Sequence, residues 1–283
     1  MTSPEAPRGS SPWSDLDRPP LREAALRSAL VVDGSLWRDL RVVDRTESTN
    51  SDVAAAARAG SPEGLVVLAE EQTAGRGRGG RTWRAPARSG LALSVLLRPP
   101  VPRESWGWLP LLAGVSVTAA LREPSGLDLG LKWPNDVLVD GERKLAGVLA
   151  EVVEDAVVLG LGLNVSLRRA ELPVPTATSL ALEDSEMLDR DPVVRAVLRE
   201  LARRYRGFVT AGGDPDGPTE ATGLRSAYRS ACVTLGRAVR VELPGDKEAS
   251  GEAVDVDRSG RLIVRDGDGT TNALAAGDVA HVR

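Results

Sequence analysis

Two tight turns in the middle of the chain constrain its fold more than any other feature. The dipeptide Asp140-Gly141 is a strong hairpin signal, and it separates an apolar run at 137–139 from an alternating run at 144–151. A second turn, at Glu154-Asp155, leads into an apolar strand that ends in GLGLNV at 160–165. Two successive hairpins predict a β-sheet at the centre of the chain.

Helices and further strands are expected on both sides of these hairpins, which predicts an α+β fold. The predicted helices are 21–40 with a break near Asp33-Gly34, an Ala-rich segment from 48–51 to Gly60, 105–121, 191–210 and 223–231. The predicted early strands are 41–44, 64–69, 91–97 and 129–133. The acidic segment 211–219 is rich in Gly and Pro and predicts a loop.

The pattern changes after Cys232 to five short alternating runs, which are typical of a small β-barrel. These runs are 237–243, 251–256, 261–264, 271–274 and 278–282. We therefore expect a disordered tail over 1–20, a larger domain over 21–225 and a small C-terminal domain over 232–283. The tail is predicted because Pro, Ser, Gly and Arg dominate it.

The scarcity of His and Cys limits the chemistry. The chain has one of each, His281 and Cys232, so a Ser-His-Asp or Cys-His device would have to use these residues, and zinc sites built from several of them are ruled out. Lys, Arg, Asp and backbone amides are the remaining catalytic groups, and they suit phosphoryl or nucleotidyl transfer. A net charge of -4 argues against broad nucleic-acid binding. Without an apolar N-terminal run or membrane span, we expect a cytoplasmic protein.

Residues 75–83 read GRGRGGRTW and are called the arginine loop below. Glycines let backbone amides approach a ligand, and arginines keep their charge at any physiological pH, so the loop is suited to an anion. The alternative is an Arg-Gly segment that binds RNA. Flanking strands favour a ligand loop. A G-x-G-x-x-G match inside it is discarded because no long helix follows.

KWPND at 132–136 follows a predicted strand, where Pro134 fixes the backbone and directs Asp136 off the strand end. Lys132 could neutralise phosphate and Asp136 could hold magnesium, although Pro-Asn-Asp is also a good turn. Lys144 can fold back towards this motif across the hairpin, or be a surface lysine. Gly147 marks either a bulge or a closely approaching ligand.

Five motifs together resemble those of biotin protein ligases, which are also called biotin–acetyl-CoA-carboxylase ligases. They are STN at 48–50, QTAGRGRGGRTW at 72–83, KWPND at 132–136, RKLAG at 143–147 and GLGLNV at 160–165. The resemblance covers about 35–220 and implies a catalytic domain with a mixed sheet and helices on one side, related to lipoate ligases and class II synthetase cores. The C-terminal strands look like that family's SH3-like domain.

The resemblance also implies site residues. Those matching the family's biotin-binding set are Ser48, Thr49, Asn50, Gln72, Gly75, Arg76, Gly77, Arg78, Lys144 and Gly147. Those matching its nucleotide side are Arg78, Arg81, Trp83, Lys132, Asn135 and Asn164. Lys144, Arg78 and Asp136 are the expected catalytic residues, and Asp136 is the expected metal ligand. Many relatives hold a larger or basic residue at the position of Gly79.

The implied substrates are biotin and ATP with Mg²⁺, and the implied intermediate is biotinyl-5'-AMP beneath a closing loop. The implied acceptor is a lysine in the biotin carboxyl carrier domain of acyl-CoA carboxylases. A homodimer is compatible with the resemblance. The N-terminus leaves too little room for a winged-helix domain, so neither DNA nor a membrane is an expected partner. The rival interpretations are a lipoate or octanoyl ligase or transferase, and a nucleic-acid-binding module.

Overall fold

A computed structural model describes residues 18–217, 223–245 and 247–282. The predicted disordered tail lies outside these residues except for 18–20. Within that remainder Arg18 is only 6% exposed, and its guanidinium donates to the Ser166 carbonyl at 2.8 Å and to the Glu171 carboxylate. The tail prediction is therefore wrong at Arg18, which is held by an ion pair with Glu171, and at Pro19, whose carbonyl accepts from Arg190 Nη2 at 2.7 Å. The predicted loop over 211–219 is described only as far as 217.

Seven strands and five helices precede the C-terminal strands. In chain order they are α1 (Glu23–Leu30), β1 (Asp39–Thr46), α2 (Thr49–Arg58), β2 (Leu65–Gln72), β3 (Gly90–Leu97), α3 (Trp108–Ser125), β4 (Leu129–Lys132), β5 (Asp136–Val139), β6 (Arg143–Val153), β7 (Ala156–Asn164), α4 (Arg190–Thr210) and α5 (Leu224–Ala231). No helix in the described parts of the chain is both long enough and apolar enough to cross a bilayer.

The first sheet has the strand order β1-β2-β3-β7-β6-β5-β4. Strands β1 and β2 are parallel and the other neighbours are antiparallel, so the mixed sheet is confirmed. Both predicted turns are present: Asp140 and Gly141 have φ of 49° and 70° between β5 and β6, and Glu154 has φ of 56° between β6 and β7. These hairpins place β6 and β7 at the centre of the sheet.

Helices cover both faces of this sheet, so the expectation of helices on one side is wrong. In β2, Val66 and Leu68 join the core formed with α1, α3 and α4. Their neighbours Leu65 and Val67 belong to a second apolar cluster with α2. Because successive residues of a strand face opposite sides, an apolar run such as β2 needs a cover on each face.

The C-terminal strands are β8 (Ala238–Leu243), β9 (Lys247–Val256), β10 (Leu262–Arg265), β11 (Thr271–Leu274) and β12 (Asp278–His281). They form one antiparallel sheet in the order β11-β10-β9-β8-β12, which confirms the predicted five-stranded unit. Two indole N–H groups fasten this sheet to the first unit: Trp108 donates to the Arg258 carbonyl at 2.7 Å and Trp133 to the Gly260 carbonyl at 3.0 Å.

Candidate active site

A cavity of about 540 Å³ lies between the arginine loop and the middle of β6. Its walls are residues 73–82 and Arg84 on one side and Leu149, Ala150 and Glu151 on the other. Cavities of this size hold small organic ligands. The arginine loop therefore forms one wall of a cavity large enough for such a ligand.

The arginine loop folds as a short hairpin. The Gly77 N–H donates to the Arg81 carbonyl at 2.7 Å, and the Trp83 N–H donates to the Gly75 carbonyl at 2.8 Å. At the tip, Gly79 has a φ of 62°, a left-handed value that a larger residue would adopt only with strain. The glycine at this position thus allows the left-handed backbone at the tip of the hairpin.

A chain of hydrogen bonds lies at the start of α2. The Thr49 N–H donates to Gln72 Oε1 at 2.9 Å, and the Thr49 hydroxyl lies 2.7 Å from that of Ser94. The Ser94 hydroxyl donates to Asn50 Oδ1 at 2.6 Å. Ser48 precedes them as the N-cap of α2. Four predicted biotin-binding residues are therefore brought together here. Ser48, Thr49 and Asn50 are each only 3–4% exposed, and Asn50 is turned into the hydrogen-bond chain.

Trp83 lies on a floor made of glycine. A Cβ atom on Gly162 would come within 2.3 Å of the Trp83 ring, and one on Gly147 would lie 3.4 Å from it. The Lys144 ammonium is 5.9 Å from the centre of the same ring. Gly75 is equally confined, because its Cβ would lie 2.5 Å from the Trp83 carbonyl oxygen. These glycines make room for the indole next to Lys144.

The predicted catalytic residues converge beside Trp83. Lys144 Nζ and Asp136 Oδ1 form an ion pair at 2.7 Å across the β5–β6 hairpin. Arg78 Nη1 donates to Asn135 Oδ1 at 3.3 Å, and Lys132 stands opposite Asp136 in the β4–β5 pairing. Burial lowers the pKa of Arg78 from its ordinary value, which still leaves it charged. Two cations and a half-buried carboxylate thus face one another.

Asn164 does not face this group. It is buried, and its amide donates to the Thr178 carbonyl at 2.8 Å. The Thr178 N–H in turn donates to the Lys144 carbonyl at 2.8 Å, and the Lys144 N–H donates to the Thr176 carbonyl at 2.7 Å. The geometry therefore favours a structural role for Asn164, which holds the segment that fixes the Lys144 backbone.

The C-terminal sheet touches two of the motifs. Arg81 is paired with Asp278 of β12, with Nη1 2.7 Å from Oδ2 and Nη2 3.1 Å from Oδ1. The Trp133 N–H donates to Thr234 Oγ1 at 3.1 Å. One arm of the arginine loop and the KWPND motif are therefore both held by residues beyond 232.

His281 and Cys232 are placed as structural groups. The His281 ring lies 3.2 Å from Thr234 Oγ1 and 3.3 Å from an Arg237 nitrogen. Burial, together with the positive charges of Lys132 and Arg237, lowers the pKa of His281 to about 4. Burial also raises the pKa of the Cys232 thiol. A neutral imidazole beside cations and a protonated buried thiol are unsuited to a nucleophile–base pair.

Sequence reasoning missed three residues of the site: Ser94, Glu151 and Asp278. Glu151 could have been found, because Gly147, Leu149 and Glu151 alternate along β6 and so share one face with the cavity. Ser94 and Asp278 carried no local signal, since each acts through a partner distant in the sequence.

Comparisons with known proteins show which family the chain is similar to. The chain matches the Biotin/lipoate A/B protein ligase family over residues 42–165 and the Biotin protein ligase C terminal domain over 234–282. It is 46% identical to the biotin–acetyl-CoA-carboxylase ligase of Mycobacterium tuberculosis, over 94% of this chain and 97% of the relative. It is 31% identical to the bifunctional ligase/repressor BirA of Bacillus subtilis, over 90% of this chain and 78% of the relative.

Solved structures give the same result. The biotin protein ligase of Aquifex aeolicus, in complex with biotin and ATP, superposes with a TM-score of 0.70 and 28% identity. The superposition covers 87% of this chain and all of that one.

Proposed function

This chain belongs to the biotin protein ligase family, and we propose that it performs that family's two-step reaction in the cavity beneath the arginine loop. Its activity is that of a biotin–acetyl-CoA-carboxylase ligase. First, the carboxylate of biotin attacks the α-phosphorus of ATP, which gives biotinyl-5'-AMP and releases pyrophosphate. Then a lysine of the acceptor attacks the acyl carbon, which forms an amide and releases AMP.

The first step must overcome repulsion, because both reacting groups are anions. At about 4 Å, a like-charged pair costs on the order of 4 kcal/mol at an effective dielectric near 20. Lys144 and Arg78 stand where they can offset this cost. The Lys144 side chain is 30% exposed, so its ammonium can leave Asp136 for the carboxylate oxygens of biotin. No covalent enzyme intermediate is required.

The ring of biotin would lie at the start of α2, near Thr49 and Gln72, with the arginine loop above it. The hydroxyl, amide and backbone groups gathered there suit a neutral urea that both donates and accepts hydrogen bonds. The valeryl chain would then run along β6 towards Lys144. Closure of the loop would keep water from the acyl phosphate, which hydrolyses readily.

Asp136 is the residue that would hold a magnesium ion. Its buried Oδ1 lies beside Lys144 but has no well-aligned hydrogen-bond donor among the described residues, so an oxygen ligand is free once Lys144 turns away. Magnesium bound to a triphosphate needs only one or two carboxylates from the protein, and it would neutralise phosphate charge. The described residues contain no group of three or more His, Cys, Asp or Glu that could form a cage without the nucleotide.

The acceptor is proposed to be the biotin carboxyl carrier domain of an acyl-CoA carboxylase. A lysine on an exposed turn could reach the mouth of the cavity once pyrophosphate has left. We also propose that the chain is cytoplasmic, forms a homodimer and has no DNA partner. The same proposal sets the domain limits at 21–225 and 232–283.

The observation that carries the proposal is that Lys144, Asp136 and Arg78 lie close together beside the arginine loop, whose residues line the cavity. The test is to mix the purified chain with biotin and ATP, then to measure pyrophosphate and identify biotinyl-5'-AMP by mass spectrometry. Lipoate and octanoate serve as controls and should give no adenylate. Equal turnover of lipoate, or pyrophosphate release that does not depend on biotin, would contradict it.

A further inference from the structure

Glu151 occupies a position in the cavity wall that the reaction scheme leaves unexplained. One of its carboxylate oxygens, Oε2, accepts from two groups: the Asn50 amide at 2.6 Å and the Arg76 guanidinium at 3.1 Å. Asn50 belongs to the start of α2, and Arg76 belongs to the arginine loop. Glu151 itself is on β6 and is 30% exposed. A single oxygen therefore joins three elements around the cavity.

The contact with Asn50 is imposed by packing. A Cβ on Gly160 would lie 2.0 Å from Asn50 Oδ1, so the Asn50 side chain is pressed against the bare backbone of β7. A buried amide N–H needs an acceptor. The neutral oxygen of a glutamine would satisfy this need, so the amide alone does not account for a carboxylate at 151.

The charge of Glu151 is accounted for by Arg76. A carboxylate binds a guanidinium more strongly than a neutral amide does, and the ordered Arg76 then fixes the first arm of the loop hairpin. That arm also pairs through an isolated bridge between Arg76 and Thr82. Without the negative charge of Glu151, the arginine loop would keep its internal hydrogen bonds but lose the ion pair that attaches Arg76 to β6.

Glu151 and Arg76 both line the cavity, so their ion pair lies where the arginine loop meets the sheet. A ligand in the cavity would therefore contact a loop wall whose position depends on this pair.

We propose that Glu151 is a positioning residue for the vitamin: it holds the arginine loop against the start of α2. The inference rests on the proposed function. Substitution of Glu151 should therefore change the affinity for biotin and the attachment of the loop, while ATP affinity and the rate at saturating biotin stay near wild type.

The test compares Glu151→Gln and Glu151→Asp with Asp155→Asn. Asp155 is a matched control because it is on the same β6–β7 hairpin and its carboxylate also pairs with an arginine, Arg98. Biotin binding is measured by titration calorimetry, adenylation by pyrophosphate release, and loop attachment by the rate of tryptic cleavage after Arg76 in the ligand-free protein.

Glu151→Gln is expected to weaken biotin binding about threefold to tenfold, the size typical of one charge-assisted hydrogen bond at a partly exposed site. Cleavage after Arg76 should accelerate several-fold, KM for ATP should stay constant, and Glu151→Asp should recover part of the loss. A wild-type affinity for biotin together with a wild-type rate of cleavage after Arg76 in Glu151→Gln would overturn the inference. So would an equal fall in every kinetic constant with a lower unfolding temperature, which marks a purely structural role. Failure of the wild-type chain to bind biotin would instead refute the proposed function.

Discussion

Lysine is the informative residue type in this chain. Of 36 basic residues only three are lysines, and two of these, Lys132 and Lys144, lie in the site motifs. Arginine serves nearly everywhere else, so a general preference for lysine does not explain these two positions. A compact ammonium on a flexible stem can move between a carboxylate and a phosphate oxygen, whereas the planar guanidinium is best suited to fixed bidentate contacts.

Replacement of Lys144 should separate chemistry from binding. Lys144→Ala is expected to slow adenylate formation about 100-fold or more, because a charge that faces the developing transition state is lost. Biotin affinity should change less than about tenfold, since the ring contacts lie elsewhere. Pyrophosphate release and calorimetry measure the two quantities. Lys247→Ala, on the exposed strand β9, is the control and should match wild type; equal adenylation by Lys144→Ala would remove the residue from the reaction.

Asp136 is expected to act on both its neighbour and the metal. Asp136→Asn keeps the shape of the side chain but removes the charge that holds Lys144 at 2.7 Å. The Mg²⁺ concentration for half-maximal adenylation should rise about threefold or more, because amide oxygens bind magnesium more weakly than carboxylates do. A magnesium titration at saturating ATP and biotin measures this. An unchanged Mg²⁺ requirement would leave Asp136 only the task of orienting Lys144.

For helices and strands, the sequence predicted the ends of an element correctly where a turn or a capping residue determines them. The strand predicted to end at 165 ends at Asn164, and the helix predicted over 191–210 is α4. The helix predicted over 21–40 ends at Leu30 instead. Several of the apolar residues after Leu30 are buried although they are not helical. The Trp37 indole, for example, is buried and donates to the Leu198 carbonyl at 3.1 Å.

The candidate site was predictable in part for the same reason. The hairpin turn at Asp140-Gly141 brings Lys144 to Asp136, as the sequence indicated. The attachments of the arginine loop were not predictable, because Arg76 meets Glu151 across 75 residues and Arg81 meets Asp278 across 197. Such pairs follow from the packing of whole elements, which no local pattern encodes.

Gly162 of β7, against which the Trp83 ring packs, allows a test of how the indole contributes to ligand binding. Gly162→Ala would place a methyl group 2.3 Å from the Trp83 ring, so the indole must leave its position beside Lys144. Affinities for both biotin and ATP should fall about tenfold or more, as measured by calorimetry. Gly207→Ala in α4 is the control, since nothing lies within 4 Å of its Cβ, and it should bind both ligands normally while gaining about 0.5–1 kcal/mol of stability. Unchanged affinities for biotin and ATP in Gly162→Ala would show that the position of the Trp83 indole does not matter for binding.

Over the whole molecule, the C-terminal sheet is joined to the site through the Arg81–Asp278 pair. Asp278→Asn should free Arg81 and remove a negative charge from the side where phosphates are expected. ATP affinity is then expected to rise about twofold to fivefold at low salt and less at high salt, because both side chains are about half exposed and are screened. Glu242→Gln is the control, as Glu242 is the exposed cross-strand neighbour of Asp278. Weaker ATP binding by Asp278→Asn would show that the pair assists the nucleotide site.

The junction between the two sheets should be sensitive to acid through His281. Its pKa in the folded protein is about 4, below the ordinary value near 6.5. Between these pH values the unfolded chain binds a proton that the folded chain excludes, so stability is present above about pH 6.5 and is lost as the pH falls towards 4. His281→Gln removes this titration. Urea unfolding at pH 7, 6 and 5 should show the variant gaining on the wild type by no more than about 1 kcal/mol per pH unit, because the ring is only partly buried. Parallel curves would mean that protonation of His281 does not oppose Lys132 and Arg237 at the junction. A variant whose stability rises relative to the wild type as the pH falls would mean that acid destabilises the folded chain through His281.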